Sequence, residues 1–244
     1  MAMNMVKRFV FDPASSHSLA SAMRMRRMVW LAQYLRGISG ELERKISLLD
    51  LGGTIDFWDN AKLEMIKDVT SDLVIANIAF RGDGHGHKPV RISQVEADAR
   101  NLKEFGDCEF DVCFSNSVIE HVGGFEHQYA MAREVQRVAK YYFVQTPYKF
   151  FPIEPHYVRP LMQFVPLEIR ARMLVGRKIG WMGPAKDLTE GFSLASSINL
   201  LSISQMKCLF PGSRILKEKF LGIVKSIVAL KPLPCKQWYW RGDA

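Results

Sequence analysis

The chain is 244 residues long, 48% hydrophobic and 24% charged, with a formal net charge of +8. That length carries one domain with a full core, and no run approaches the ~18 apolar residues of a membrane-spanning helix. Cys108, Cys113, Cys208 and Cys235 form no C-x-x-C pair and no zinc spacing, which argues against a disulfide or zinc framework and for free thiols in a reducing cytoplasm.

The basic excess favours an anionic partner: nucleic acid, a membrane surface or a phosphorylated substrate. The cations come in small groups (Arg24, Arg26 and Arg27; Arg170 and Arg172; Arg177 and Lys178; Lys217 and Lys219) with no long basic tract and no aromatic-interleaved RNA motif. A solvated basic face is the plainer reading, so nucleic acid is not the expected partner, while peripheral contact with an anionic inner membrane face stays open.

Met1 to Pro13 reads as an extended arm, and Ser15, Ser16, His17 and Ser18 follow where a secretory leader would need an apolar run. Ser18 to Arg36 reads as a helix with much of a stripe through Leu19, Ala22, Met23, Met25, Met28, Val29, Leu31, Ala32 and Leu35, stopped by Gly37 and Gly40. The run Ile46, Leu48, Leu49, Leu51 is long enough for a buried strand and too short for a helix. It holds Asp50 and ends in Gly52-Gly53, the pattern that opens a nucleotide-binding βα unit, although the full G-x-G-x-x-G is absent. The competing reading is a tight turn with no ligand.

Asn60 to Lys67 reads as a short helix and Ser71 to Phe80 as the second strand, with Asn77 near the end where an acid often holds a ribose. Arg81 to Pro89 is a loop; its His85 and His87 have no further ligands at metal spacing, and no other ligand cluster is legible, so no metal is expected. Strands follow at Arg91 to Glu96, with Asp98 just beyond, at Phe110 to Ser117 and at Tyr141 to Pro147; Phe125 to Ala139 is a helix with Glu134 and Arg137 spaced as a pair. Tyr148 to Pro166 is a stiff loop rich in proline and aromatics. Leu167 to Val175 reads as a basic helix, Gly176 to Ser197 as irregular, and Ser204 to Leu209 as a short helix with Ser202 as its N-cap. Ser213 to Phe220 and Ile223 to Ala229 close the fold as a strand pair, and Pro232 to Ala244 is a tail.

Strand and helix alternate five times before the closing pair. This predicts an α/β, doubly wound, Rossmann-like fold: a seven-stranded, mostly parallel sheet with an antiparallel closing strand and helices on both faces. Ligands of such sheets sit outside the carboxyl ends of the strands. Here those ends hold Asp50 and Gly52, Asn77, Asp98, Ser115 and Asn116, then Gln145 to Pro147, all polar or small.

Leu48-Leu49-Asp50-Leu51-Gly52-Gly53, Ala97-Asp98-Ala99-Arg100-Asn101-Leu102, and Phe110 to Val122 with its Ser115-Asn116-Ser117-Val118-Ile119-Glu120-His121 resemble three motifs of the class I S-adenosylmethionine-dependent methyltransferases. The likeness covers roughly residues 45 to 150. It implies S-adenosylmethionine as cofactor. Asp50, Leu51, Gly52 and Gly53 would hold the methionine end, Asn77 the ribose, and Asp98 with the Ala99 N–H the adenine. Ser115 and Asn116 would pass beside the sulfonium. Thr54, Asp56 and Asn77 depart from the family's usual glycines and acid. More narrowly, the chain looks like rhizobial enzymes that O-methylate fucose on nodulation factors, a likeness of the whole rather than of one motif.

The resemblance divides a single domain, 1–244, into an N-terminal arm and cap helix (1–40), a cofactor-binding core (45–150), an acceptor-side insertion (151–200) and a closing helix and strand pair (201–231). It implies O-methylation of a sugar hydroxyl on a glycan or glycolipid. A hydroxyl is a poor nucleophile while protonated, so a base is required. His156 is the first choice, in the stiff loop after the fifth strand. His121 is the second, with Glu120 as possible partner. Glu154 would orient a histidine or bind a sugar hydroxyl. A packed loop histidine and a helix-start histidine are the competing readings. An RNA or small-metabolite methyltransferase and a non-catalytic cofactor-binding scaffold remain as alternatives, but the Asn/Asp-Pro-Pro-aromatic signature of base-modifying relatives is missing after the fourth strand, where Ser115-Asn116-Ser117-Val118 stands.

Overall fold

The computed structural model describes residues 19–80 and 89–234. The arm at Met1–Pro13, the pair His85 and His87, and the tail from Cys235 onward lie outside the described residues.

In chain order the elements are α1 (Leu19–Leu42), β1 (Ile46–Leu51), α2 (Asn60–Ile66), β2 (Thr70–Asn77), β3 (Arg91–Glu96), β4 (Phe110–Asn116), α3 (Phe125–Val138), β5 (Ala139–Pro147), β6 (Ile153–Glu154), β7 (Arg159–Pro160), α4 (Leu167–Leu174), α5 (Leu188–Ser196), α6 (Ile203–Leu209), β8 (Arg214–Phe220) and β9 (Ile223–Leu230). The main sheet has seven strands in the order β3-β2-β1-β4-β5-β9-β8. Strands β1 to β5 are parallel, and β9 runs antiparallel to both β5 and β8. The order reverses between β1 and β4, which opens a crevice at their carboxyl ends.

Adjacent residues of the central strands face opposite layers, which is why those strands read as continuous apolar runs. Leu48, Val112 and Phe143 pack on the face covered by Leu31, Leu35 and Ile38 of α1 and Leu63 and Ile66 of α2. Of the expected α1 stripe, the structure leaves Met25 and Val29 exposed. Leu49, Cys113 and Val144 pack on the other face, under Met131 and Val135 of α3 and Met206 and Leu209 of α6. Cys113 lies mid-strand between Leu49 and Tyr142, wholly buried, and burial pushes its thiol pKa far up.

Two expectations need correction. Helix α1 does not stop at Gly37 or Gly40 but continues to Leu42. Leu35 and Ile38, both 0% exposed, fasten its last turns to the sheet, and that burial outweighs the ~1 kcal/mol that a mid-helix glycine costs. The left-handed residue that ends it is Glu43, at φ 53°. The second correction is that Gly176 to Ser197 is not all irregular, because Leu188–Ser196 forms α5. Its N-cap is Asp187, whose carboxylate accepts from the Glu190 N–H at 2.8 Å. Gly191 lets α5 lie against α4 so closely that a Cβ there would meet the Ala171 carbonyl oxygen at 2.6 Å. Helices α4 and α5 and the β6–β7 hairpin share a small core of Tyr157, Met162, Ala171, Leu174 and Ala195, and so form a layer over the end of β5. The expected cap of α6 is present as a full capping box between Ser202 and Gln205.

Candidate active site

A cavity of about 350 Å³ opens at the carboxyl ends of β1, β2 and β4, lined by Leu51, Gly52, Ala76, Asn77, Ile78, Ala97, Asp98, Ala99, Arg100, Ser117, Val118, His121 and Val122. Its size and largely apolar wall suit a nucleoside-sized ligand. Gly52 sits at φ +81°, and a Cβ there would fall 2.4 Å from Val118. The residue must therefore be glycine both for its backbone conformation and for space. At Gly53 a Cβ would fall 1.8 Å from Oδ2 of Asp50.

The cofactor residues expected from the sequence divide into two groups. Leu51, Gly52, Asn77, Asp98 and Ala99 are on the cavity wall. Gly53, Asp50, Ser115 and Asn116 stand behind it. Asp50 is 1% exposed and accepts from Nε1 of Trp58 at 2.6 Å; burial pushes its pKa up to about 7 against that bond. Ser115 donates its hydroxyl to the Leu51 carbonyl at 3.0 Å and so ties β4 to the glycine turn. Asn116 Oδ1 accepts from the Arg27 guanidinium at 2.5 Å. The residue after β4 that does reach the cavity is Ser117, held at φ 58° and donating to Gln145 Oε1 at 2.9 Å. Asn77 donates to the Gly53 carbonyl at 2.8 Å and accepts from the Ile78 N–H at 2.8 Å, so its amide braces the turn as well as facing the cavity. Asp98 is gripped by Arg100, with Nε at 3.0 Å from Oδ1 and a terminal nitrogen at 2.7 Å from Oδ2, and that guanidinium holds its carboxyl below the usual range.

The three residues chosen for proton transfer meet at one edge of this cavity, Glu154 and His156 from the β6–β7 hairpin and His121 from the segment after β4. Glu154 is 2% exposed. Its Oε2 accepts from the Tyr157 N–H at 2.5 Å, and its Oε1 lies 2.7 Å from Nδ1 of His156. Because both carboxylate oxygens act as acceptors, Nδ1 carries a proton, and in the neutral ring Nε2 presents its lone pair. That Nε2 is 3.3 Å from Nε2 of His121, and the two rings stand edge to face at 4.9 Å. Burial first, then His156, lowers the His121 pKa to about 4. Glu120 is wholly buried and turns to Thr146 rather than to His121, its Oε2 accepting from the threonine hydroxyl at 2.9 Å; burial pushes its pKa up to about 7. Ligand-type atoms of Glu120, His121 and His156 all lie within 4.8 Å of one another. Reading of the sequence points to no such grouping. The sequence could not reveal it, because His156 comes from beyond β5.

Beside Glu154 lies a second, polar cavity of about 280 Å³, walled by Gln128, Lys149, Gln163, Arg170, Asn199 and Gln205 among others. Sequence reading also missed Arg27 of α1. One of its terminal nitrogens donates to Asn116 at 2.5 Å and to Gln145 at 2.7 Å, and its Nε is 3.4 Å from Glu218 of β8.

The family model described as a methyltransferase domain matches residues 63–141, from α2 to the start of β5. No curated protein matches the chain by sequence. Among solved structures it is similar to magnesium protoporphyrin IX methyltransferase from Synechocystis PCC 6803 with bound SAH, at TM-score 0.52 and 11% identity over 87% of this chain and 85% of that one. The SAM-bound structure of the same protein gives TM-score 0.50 and 10% identity over 95% and 92%. Likeness at this identity concerns the fold. The chain therefore has the class I, Rossmann-like methyltransferase architecture, and its segment 63–141 matches a methyltransferase domain. No described helix is long and apolar enough to cross a membrane.

Proposed function

We propose that the chain is an S-adenosylmethionine-dependent methyltransferase that acts on oxygen, methylating a hydroxyl of a sugar unit in a glycan or glycolipid. The observation that carries the reading is the continuous line Glu154–His156–His121 between the two cavities. In the first cavity Leu51 and Gly52 would hold the methionine end of the cofactor, Asn77 the ribose, and Asp98 and Ala99 the adenine. When bound, S-adenosylmethionine supplies a methyl group on a sulfur that leaves readily. Glu154 fixes the His156 ring, and Nε2 of the neutral His156 would take the acceptor hydroxyl's proton as that oxygen is methylated.

The second cavity supports a hydroxyl-rich acceptor. Gln163 Oε1 and Arg170 Nε face burial with no hydrogen-bond partner among the described residues, and a polyol can serve both a lone pair and an N–H. A fucosylated glycan is the first acceptor to try. If the glycan is carried on a lipid, the net charge of +8 would favour docking at an anionic membrane.

The test adds labelled S-adenosylmethionine and purified protein to a cell extract separated into glycan/lipid, RNA and protein fractions. Label in the glycan/lipid fraction is the expected result, and label in RNA alone overturns the acceptor. His156→Ala should lower turnover by ~10²–10⁴-fold with S-adenosylhomocysteine affinity unchanged. Full turnover in that variant would remove His156 from the proton path.

A further inference from the structure

We propose that Glu120, His121 and His156 form a mononuclear site for a divalent transition metal of the zinc type. Three independent observations converge on it. The first is spacing. Two nitrogens bound to one ion at ~2.0–2.1 Å in tetrahedral geometry stand about 3.3–3.4 Å apart, and the Nε2 atoms of His121 and His156 face each other at 3.3 Å. The second is an outer carboxylate. Glu154 holds Nδ1 of His156 at 2.7 Å, the arrangement that fixes a metal-binding imidazole's tautomer and ring plane. The third is Glu120. Its side chain is 0% exposed, one oxygen accepts from Thr146, and Oε1 has no hydrogen-bond partner among the described residues. A buried carboxylate oxygen without a partner is costly, and a cation between it and the two imidazoles would satisfy it.

Two imidazoles and one carboxylate make a borderline donor set that favours zinc-like ions over magnesium or calcium, which prefer oxygen. Three protein ligands leave coordination positions open, as in catalytic rather than structural sites. His121 is on the cofactor cavity wall and Glu154 on the polar cavity wall, so an open position would lie between them, where an acceptor oxygen could bind. A nitrogen lone pair on a metal cannot also take a proton. With the ion bound, acidification of the hydroxyl would therefore pass from His156 to the metal. Only this last consequence rests on the methyl-transfer reading; the site itself stands on the geometry.

The experiment uses untagged, chelator-treated full-length protein. Cobalt(II), a visible-absorbing stand-in for zinc, is titrated in by absorbance, and zinc by calorimetry. One equivalent should bind, with the strong visible bands of a four- or five-coordinate ion that zinc then displaces. Glu120→Gln and His156→Ala should each weaken binding at least 10-fold, and Glu154→Gln by ~10–100-fold through its imidazole. S-adenosylhomocysteine binding, measured in the same samples, shows that each variant is folded. No stoichiometric binding by folded wild type, or binding unchanged in both Glu120→Gln and His156→Ala, overturns the site. Stoichiometric metal binding with no methyl transfer to any fraction would leave the site standing and count against the oxygen acceptor.

Discussion

A single buried carboxylate makes the glycine turn sensitive to pH. Burial keeps Asp50 protonated in the folded chain up to about pH 7, whereas its ordinary value is 3.8. Between those values the folded chain holds a proton that the unfolded chain has lost. Asp50 therefore subtracts stability as pH rises through that window, by up to roughly 1.4 kcal/mol per pH unit, and nothing further above it. Glu120, raised to about 7, acts in the same direction, while His121, lowered to about 4, acts in the opposite one. Asp50→Asn isolates the single contribution. Urea midpoints at pH 5 and pH 8 should show the variant gaining on wild type at the higher pH, and parallel changes in the two proteins would refute the assignment. The presence of Asp50 beside two glycines was legible in the sequence. Its retreat behind the cavity wall was not, because that depends on Trp58, which only the 3-10 turn at Ile55–Phe57 brings within reach.

Glycines inside helices test how far packing overrides local preference. Gly40 in α1 has nothing within 4 Å of a built Cβ, so Gly40→Ala should stabilise the protein by ~0.5–1 kcal/mol. Gly191 in α5 would press its Cβ on the Ala171 carbonyl at 2.6 Å, so Gly191→Ala should destabilise by ~1–3 kcal/mol despite alanine's better helix propensity. Chemical denaturation of the two variants should give midpoint shifts of opposite sign. The same contrast explains what could be read from the chain. Strands β1 and β4 are continuous apolar runs bounded by small polar residues, a pattern that survives any tertiary context. Helix α5 carries Leu188, Phe192, Leu194 and Ala195 on a short and irregular stripe, and its clearest sign was the Asp187 cap followed by Glu190.

Across the molecule, Arg27 ties the first helix to strands far from it in sequence. It is 13% exposed and its partner Glu218 1% exposed, so losing the cation leaves a buried carboxylate with only the Ser226 hydroxyl and the charge of Lys225 to offset it. Arg27→Met should lower stability by about 1–3 kcal/mol and, by freeing Asn116 and Gln145, which hold the end of β4 and Ser117, weaken S-adenosylhomocysteine binding. A variant with wild-type stability would show that the bridge contributes nothing. Contacts of this kind define the limit of sequence reading. Sheet order follows from alternation and handedness, which are local rules, but the meeting of His121 with His156 and of Arg27 with Asn116 depends on how whole layers stack.

Cys113 gives the sheet an internal stopwatch. It lies mid-strand between β1 and β5, 0% exposed, while Cys108 and Cys208 are exposed. An alkylating reagent should consume Cys108 and Cys208 at once and reach Cys113 only when β4 parts from its neighbours. The labelling of Cys113, followed on its own peptide, therefore clocks the opening of the strand that ends beside the cavity at the carboxyl edge of the sheet. Any ligand that seals that end should lengthen the interval, so a reagent and a mass spectrometer can screen for occupants without knowing the reaction.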